Sequence, residues 1–336
     1  MTAELTRDPD GTATQRRSGA AARGRLTRPG GVLPIVAILA LLLVLIAIQQ
    51  PDFFQPASLL SFLGRSAPII ILAAGQYFVI VSGEFDLSVG SLVTAQVVVA
   101  ARLIDSDPGR TWPVVLLLFG FGLLVGLANG LITTALRVPS FITTLGMYLI
   151  LVGAVYLWSD GAPRGGLSDE FRRFGRLAVE DVPLLGRLPY ALLVLLAVAG
   201  LLLLFSRSDP GRTLVAVGDN PRTAELAGVR VGRAKTVAFV LSGLAATVAA
   251  ILLGGYSGVS FQAGLGLEFT AITAVVLGGV ALGGGRGALL GAMLGALTLE
   301  TLFTLMNFYG VSGALKSTVQ GLIILAAVSV GALRRR

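Results

Sequence analysis

Cysteine and histidine are both absent from the 336-residue chain. Without them there is no disulfide, no thiolate or imidazole metal ligand, no Cys–His nucleophile pair and no imidazole base. Charge is also scarce: 13% of residues are Asp, Glu, Lys or Arg, against about 25% in soluble domains. Carboxylates are then the only acid–base groups open to a membrane enzyme, and no convincing pair appears beyond Glu84 and Asp86. A phosphate-binding Walker A loop is missing too. Its nearest lookalike, SGALKST at residues 312–318, lacks the glycine directly before Lys316, so ATP-driven work would need an ATPase on another chain. No cofactor and no metal are expected.

Apolar residues are what the chain has, at 54%. A soluble core cannot absorb that share, whereas the hydrocarbon interior of a bilayer dissolves it. Uncharged runs at residues 29–51, 111–136, 138–159 and 188–206 reach the ~20 residues that a crossing helix needs. Residues 66–83 and 87–101 are shorter, and 236–267 reads as a helix followed by a loop. Three more segments follow Glu268, separated by GGGRG and NFYGVSG. The expected fold is an all-α polytopic membrane protein with about ten transmembrane helices.

Arginine and lysine set the orientation. Basic clusters fill a tail at residues 1–31, a segment at about 207–235 and the terminus at 334–336. Six spans before Arg207 and four after Lys235 put all three on the cytoplasmic side, with the permease domain at 32–333 and an external loop at about 158–189. That loop balances five arginines with five acids over residues 160–187. The net charge of +8 is therefore topogenic. Membrane lipid is an expected partner and nucleic acid is not.

Within the apolar sequence, GEFDLSVGS at residues 83–91 stands out. A charge inside a bilayer costs about 2.5–3.5 kcal/mol on insertion scales and usually faces a bundle interior or a watery cavity. Asp86 is placed to cap a helix starting near Leu87, but one cap does not explain Glu84. Broken helices near the midplane often form binding sites in transporters, and carboxylates and amides suit sugar hydroxyls. Glu84, Asp86, Ser88, Asn129, Thr143 and Thr144 are the candidate substrate-pathway residues. Glu268 reads as an acid favoured near a helix N-terminus.

In the basic segment, DNPRTAELAG reads as a short helix: Asn220 caps it, Pro221 takes the first position, Glu225 lies in the early turns and Gly228 ends it. From the residues alone it is either a docking knob or a capped connector.

Four stretches in order resemble the ribose-type permeases of bacterial ABC sugar importers. These are GEFDLSVGS (83–91), NGLITTALRVPSFITTLGMYLILVGAVYLWSDG (129–161), GRTLVAVGDNPRTAELAGVRVGRAK (211–235) and GLGLEFTAITAVVLGGVALGGGRGALLGAMLGAL (264–297). The likeness runs from about Val32 to the end. It implies a fold similar to the vitamin B12-importer permease class, in a bacterial inner membrane with both termini cytoplasmic. It implies as partners an ABC ATPase subunit, an extracytoplasmic substrate-binding protein and a second permease subunit, identical or paralogous. The solute would be a small sugar such as a pentose or hexose. Gly211, Arg212, Gly218, Asp219, Asn220, Pro221, Ala224, Glu225, Ala227 and Gly228 would form the ATPase-coupling segment. The chain departs from the family pattern at Glu84 and Phe85, at Asp219 and at Glu300. Rival readings are a related importer for nucleosides, amino acids or a sugar-like signal, and a stand-alone ion-coupled carrier.

Overall fold

The structure, a computed structural model, describes residues 32–183 and 186–333. The basic tail expected at 1–31 and the basic terminus at 334–336 lie outside the described residues. The uncharged runs form helices because a backbone in hydrocarbon must satisfy its hydrogen bonds within its own segment. In order these are α1 (Leu33–Gln49), α2 (Pro56–Val81), α3 (Val89–Ile104), α4 (Thr111–Ala135) and α5 (Ser140–Trp158). Next come α6 (Asp169–Arg176), strands β1 (Ala178–Val182) and β2 (Gly186–Pro189), α7 (Tyr190–Arg207), α8 (Asp209–Asp219) and α9 (Pro221–Leu226). Helices α10 (Val231–Ser257), α11 (Leu267–Leu277), α12 (Leu289–Phe308) and α13 (Gly313–Leu333) complete the chain.

Among the described residues, six helices (α2, α4, α5, α7, α10 and α12) are long and apolar enough to cross a membrane. Helices α1, α3 and α11 and the Gly313–Ala326 part of α13 are shorter apolar helices. The most apolar stretches of α2 and α10 are 67% buried, against 22% for α7 and 28% for α5. The first two are therefore the centre of the bundle and the last two its flanks. Helix α10 packs on α2, α3 and α4, and α12 joins α1, α2 and α11. Small residues let the backbones of α4 and α10 meet: a Cβ on Gly126 would lie 2.8 Å from Val240 Cα.

The segment expected as one external loop has structure of its own. Ser168 Oγ accepts from the Phe171 N–H at 3.2 Å and starts α6, whose Phe171 is buried beside Ile251 of α10. Strands β1 and β2 then pair antiparallel. Among the described residues the chain is mostly helical, with one small hairpin.

Two helices are too short to cross. Helix α3 has 16 residues and α11 has 11, against the ~20 that a span requires. Both begin inside the bundle. The Gly264 N–H donates to Thr94 Oγ1 at 2.9 Å, which ties the connection between α10 and α11 to the first turns of α3. From this meeting point the two helices run to opposite ends. Helix α3 ends near α6, with Ser106 N–H donating to Gly166 O at 2.8 Å. Helix α11 leads to a glycine-rich turn on the end that carries α8 and α9, where Gly285 N–H donates to Val81 O at 2.8 Å.

Candidate functional site

Between α2 and α3 the chain leaves helical geometry at Gly83, whose φ of +88° suits a residue without a side chain. Residues 84–88 then run without regular structure from the end of α2 toward the middle of the bundle. Helix α10 gives the scale. Glu84 pairs with Lys235, near the start of α10, while Asp86 reaches Ser242. These two α10 residues lie seven apart, on one face and about 10 Å along the axis.

Asp86 is buried and accepts three hydrogen bonds. Its Oδ1 takes the Ser88 N–H at 2.9 Å and the Ser88 hydroxyl at 2.6 Å. Its Oδ2 takes the Ser242 hydroxyl at 2.9 Å. Asn129 Nδ2 donates to Ser88 Oγ at 2.8 Å, and Gln76 Nε2 donates to the Asp86 carbonyl at 3.2 Å. The expected cap at Leu87 is thereby corrected: α3 begins at Val89, and Asp86 closes a turn two residues ahead of Ser88. An extended approach from a deep polar turn replaces a direct helix start.

The structure brings Asp86, Ser88 and Asn129 into one network and sets the other candidates around it. Thr144 Oγ1 donates to Ser140 O at 2.8 Å, and Ser140 Oγ accepts the Phe85 N–H at 3.1 Å. Thr143 is buried on the same first turn of α5. Glu84 stands apart with Lys235; their side chains are 14% and 18% exposed, respectively. Lys235 and Ser242 were missed in the sequence. Their heptad spacing on an otherwise apolar helix was the available signal. Glu268, placed at the start of α11 as expected, is deeply buried. Glu300 lies half-buried on α12.

The basic segment folds as two short helices rather than one. Ser208 caps α8, with Gly211 N–H as its donor. Asn220 Oδ1 caps α9 by accepting the Thr223 N–H at 3.0 Å. Pro221 takes the first position, Ala224 is buried, Ala227 follows the last turn, and Gly228 leaves with φ +85°. Arg212 pairs with Asp209 at 3.9 Å, and Glu225 with Arg222 at 3.4 Å. Leu226 is 77% exposed at the tip of α9.

Behind this tip the pieces interlock. Gly218 of α8 abuts the Val81 carbonyl at the end of α2, and a Cβ there would lie 2.6 Å from Gly285 N. The neighbouring Asp219 packs against Gly285. A cavity of about 340 Å³ opens between Glu84, Lys235, Arg137 and Glu225. The α8–α9 segment therefore touches the end of α2, the start of α10 and the turn into α12 together.

Residues 58–328 match the family described as branched-chain amino acid transport system, permease component. The chain belongs to this permease family. Among curated relatives, the ribose import permease protein of Bacillus subtilis (strain 168) is 34% identical over 295 residues, covering 86% of this chain and 89% of its own. The autoinducer 2 import system permease protein of Klebsiella pneumoniae is 36% identical over 301 residues (89% and 86%). The galactose/methyl galactoside import permease protein of Escherichia coli (strain K12) is 32% identical over 318 residues (89% and 94%). No solved structure matches. This permease is thus a multi-pass membrane transport component, not an enzyme.

Proposed function

We propose that the chain forms the translocation pathway of an ATP-driven importer for a monosaccharide. A separate ATPase seats on α8–α9, an extracytoplasmic binding protein delivers the sugar, and a second permease subunit completes the channel. The bundle has about ten spans in the arrangement of the vitamin B12-importer class, α3 and α11 each counting as a span together with the extended segment that precedes it, with α8–α9 and both termini on the cytoplasmic side. The ribose and galactose named for two relatives support the solute class. Amino acids, named in the family description, are the second reading.

The observation that carries the proposal is the α9 tip. A six-residue capped helix that stands on α8 and α10 and presents Leu226 at its tip has the size and shape to insert in a protein groove. Its base rests on three transmembrane elements, so a push on α9 reaches the break at residues 83–88 through Lys235 and Glu84. The path-side role of Glu84, Asp86, Ser88, Asn129, Thr143 and Thr144 is to hold that break and to form the polar wall behind the route. Ion coupling is disfavoured, because the deep carboxylate of this wall, Asp86, already has both oxygens taken by Ser88 and Ser242.

Co-purification tests this. A tagged chain co-expressed with a candidate ABC ATPase is compared with Glu225→Arg/Gly228→Pro and with the milder Leu226→Ser. Gly228 at φ +85° cannot become proline without moving the chain. The native chain is expected to retain the ATPase and both variants to lose it while remaining monodisperse. No ATPase on the native chain would sink the reading.

A further inference from the structure

A cavity of about 190 Å³ lies where the two interrupted helices meet, between the start of α3, the outward half of α5 and residues 258–266. We infer that this cavity is a binding station for one uncharged polyhydroxylated ring within a single permease subunit. The inference rests on the importer reading and names where in the chain the solute is held.

Its floor is backbone. A side chain on Gly90 would strike the Glu268 carboxylate and lie 2.5 Å from Gly264 O, so glycine there lets the two helix starts close up into a floor. The walls carry groups that match hydroxyls in both senses. Thr94 Oγ1 accepts the Gly264 N–H and so keeps its proton to donate. Ser91 Oγ donates to Ser88 O at 2.8 Å and so keeps its lone pairs to accept. The exposed amide of Gln262 and the hydroxyls of Tyr148 and Tyr156 both donate and accept. Tyr156 and Phe261 stack at 4.3 Å between ring centroids, 20° from parallel, which gives an apolar surface for the C–H face of a sugar ring. This pair also joins α5 to the 258–266 connection, so parting it changes access.

The lining contains no charged side chain. An amino acid would bring an ammonium and a carboxylate into a pocket with no counter-charge, at a cost of several kcal/mol. The size admits one ring rather than a disaccharide. The buried Glu268 sits behind Gly90, not in the lining, with Oε2 free of any partner among the described residues. It stands at the N-terminal ends of α3 and α11 together, where helix dipoles favour a carboxylate, and so it fixes the floor.

The absence of native cysteine makes the test direct. Gln262→Cys and Thr94→Cys each give a unique thiol, and Glu180→Cys on the exposed strand β1 serves as the control. Labelling by a small methanethiosulfonate is followed in membranes holding the full complex, with ribose, galactose or leucine added, and uptake of each probe by the native complex is measured in parallel. One of the two sugars should slow labelling at 262 and 94 by about fourfold at roughly three times its Kd, with no effect at 180 and none from leucine. Sugar uptake without protection at either site would overturn the station and leave the importer reading intact. Protection by leucine alone would overturn the solute class. A complex that takes up neither sugar would overturn the importer reading and the station with it.

Discussion

Helices α3 and α11 start side by side, yet the two starts are built differently. The start of α3 is held by side chains: Asp86 fills three acceptor positions and draws in Ser88 and Ser242, and Ser88 in turn holds Asn129. The start of α11 is held by close backbone and one threonine: Gly264 bonds Thr94, and Gly266 turns the chain at φ +80°. Its carboxylate, Glu268, is left with a free oxygen. A carboxylate held by three hydrogen bonds keeps one geometry, because any shift breaks several bonds at once. A glycine-lined start tolerates small shifts. The first start is the fixed one and the second the adjustable one.

Breaking the fixed side has the largest expected effect. Asp86→Ala leaves the Ser88 and Ser242 groups buried without their acceptor and costs about 3 kcal/mol or more, read as a drop in thermal stability of the detergent-solubilised chain. Asp86→Asn keeps one acceptor oxygen and loses about 1 kcal/mol. If the two variants were equally stable, the network would not be what holds α3.

Crowding the adjustable side comes next. Gly90→Ala meets Glu268 and Gly264 and costs about 2 kcal/mol. Adding Glu268→Ala should return part of that loss in a double-mutant cycle. Full additivity would show that Gly90 and Glu268 do not touch in solution. The smallest effect belongs to Glu268→Gln alone, about 1 kcal/mol or less, since the amide oxygen still meets the backbone N–H groups of the first turn. A larger loss would move Glu268 into the fixed class.

Much of this was legible before any coordinates. Uncharged runs marked the helices because hydrocarbon leaves the backbone no other partner, and Asn220, Pro221 and Gly228 marked α9 because caps act locally. The depth of the break was not legible. Its scale comes from Lys235 and Ser242, more than 150 residues along the chain from Glu84 and Asp86, and nothing local pairs them. Helix α6 and its hairpin were hidden because their charges read equally well as a solvated loop. The cavity depends on Gly264 entering beside Gly90, a tertiary approach that a glycine cluster signals only in general terms.

The central claim is that α8–α9 and the break at residues 83–88 move as one, through Glu84 and Lys235. Exchanging the pair tests it most directly. Uptake is measured in proteoliposomes that contain the permease, its ATPase and its binding protein, for Glu84→Lys, Lys235→Glu and the double exchange. Each single reversal should lower uptake by about tenfold, equivalent to roughly 1.4 kcal/mol, and the double exchange should recover most of it. Single variants that transport like the native chain, or a double exchange no better than either single, would contradict the account.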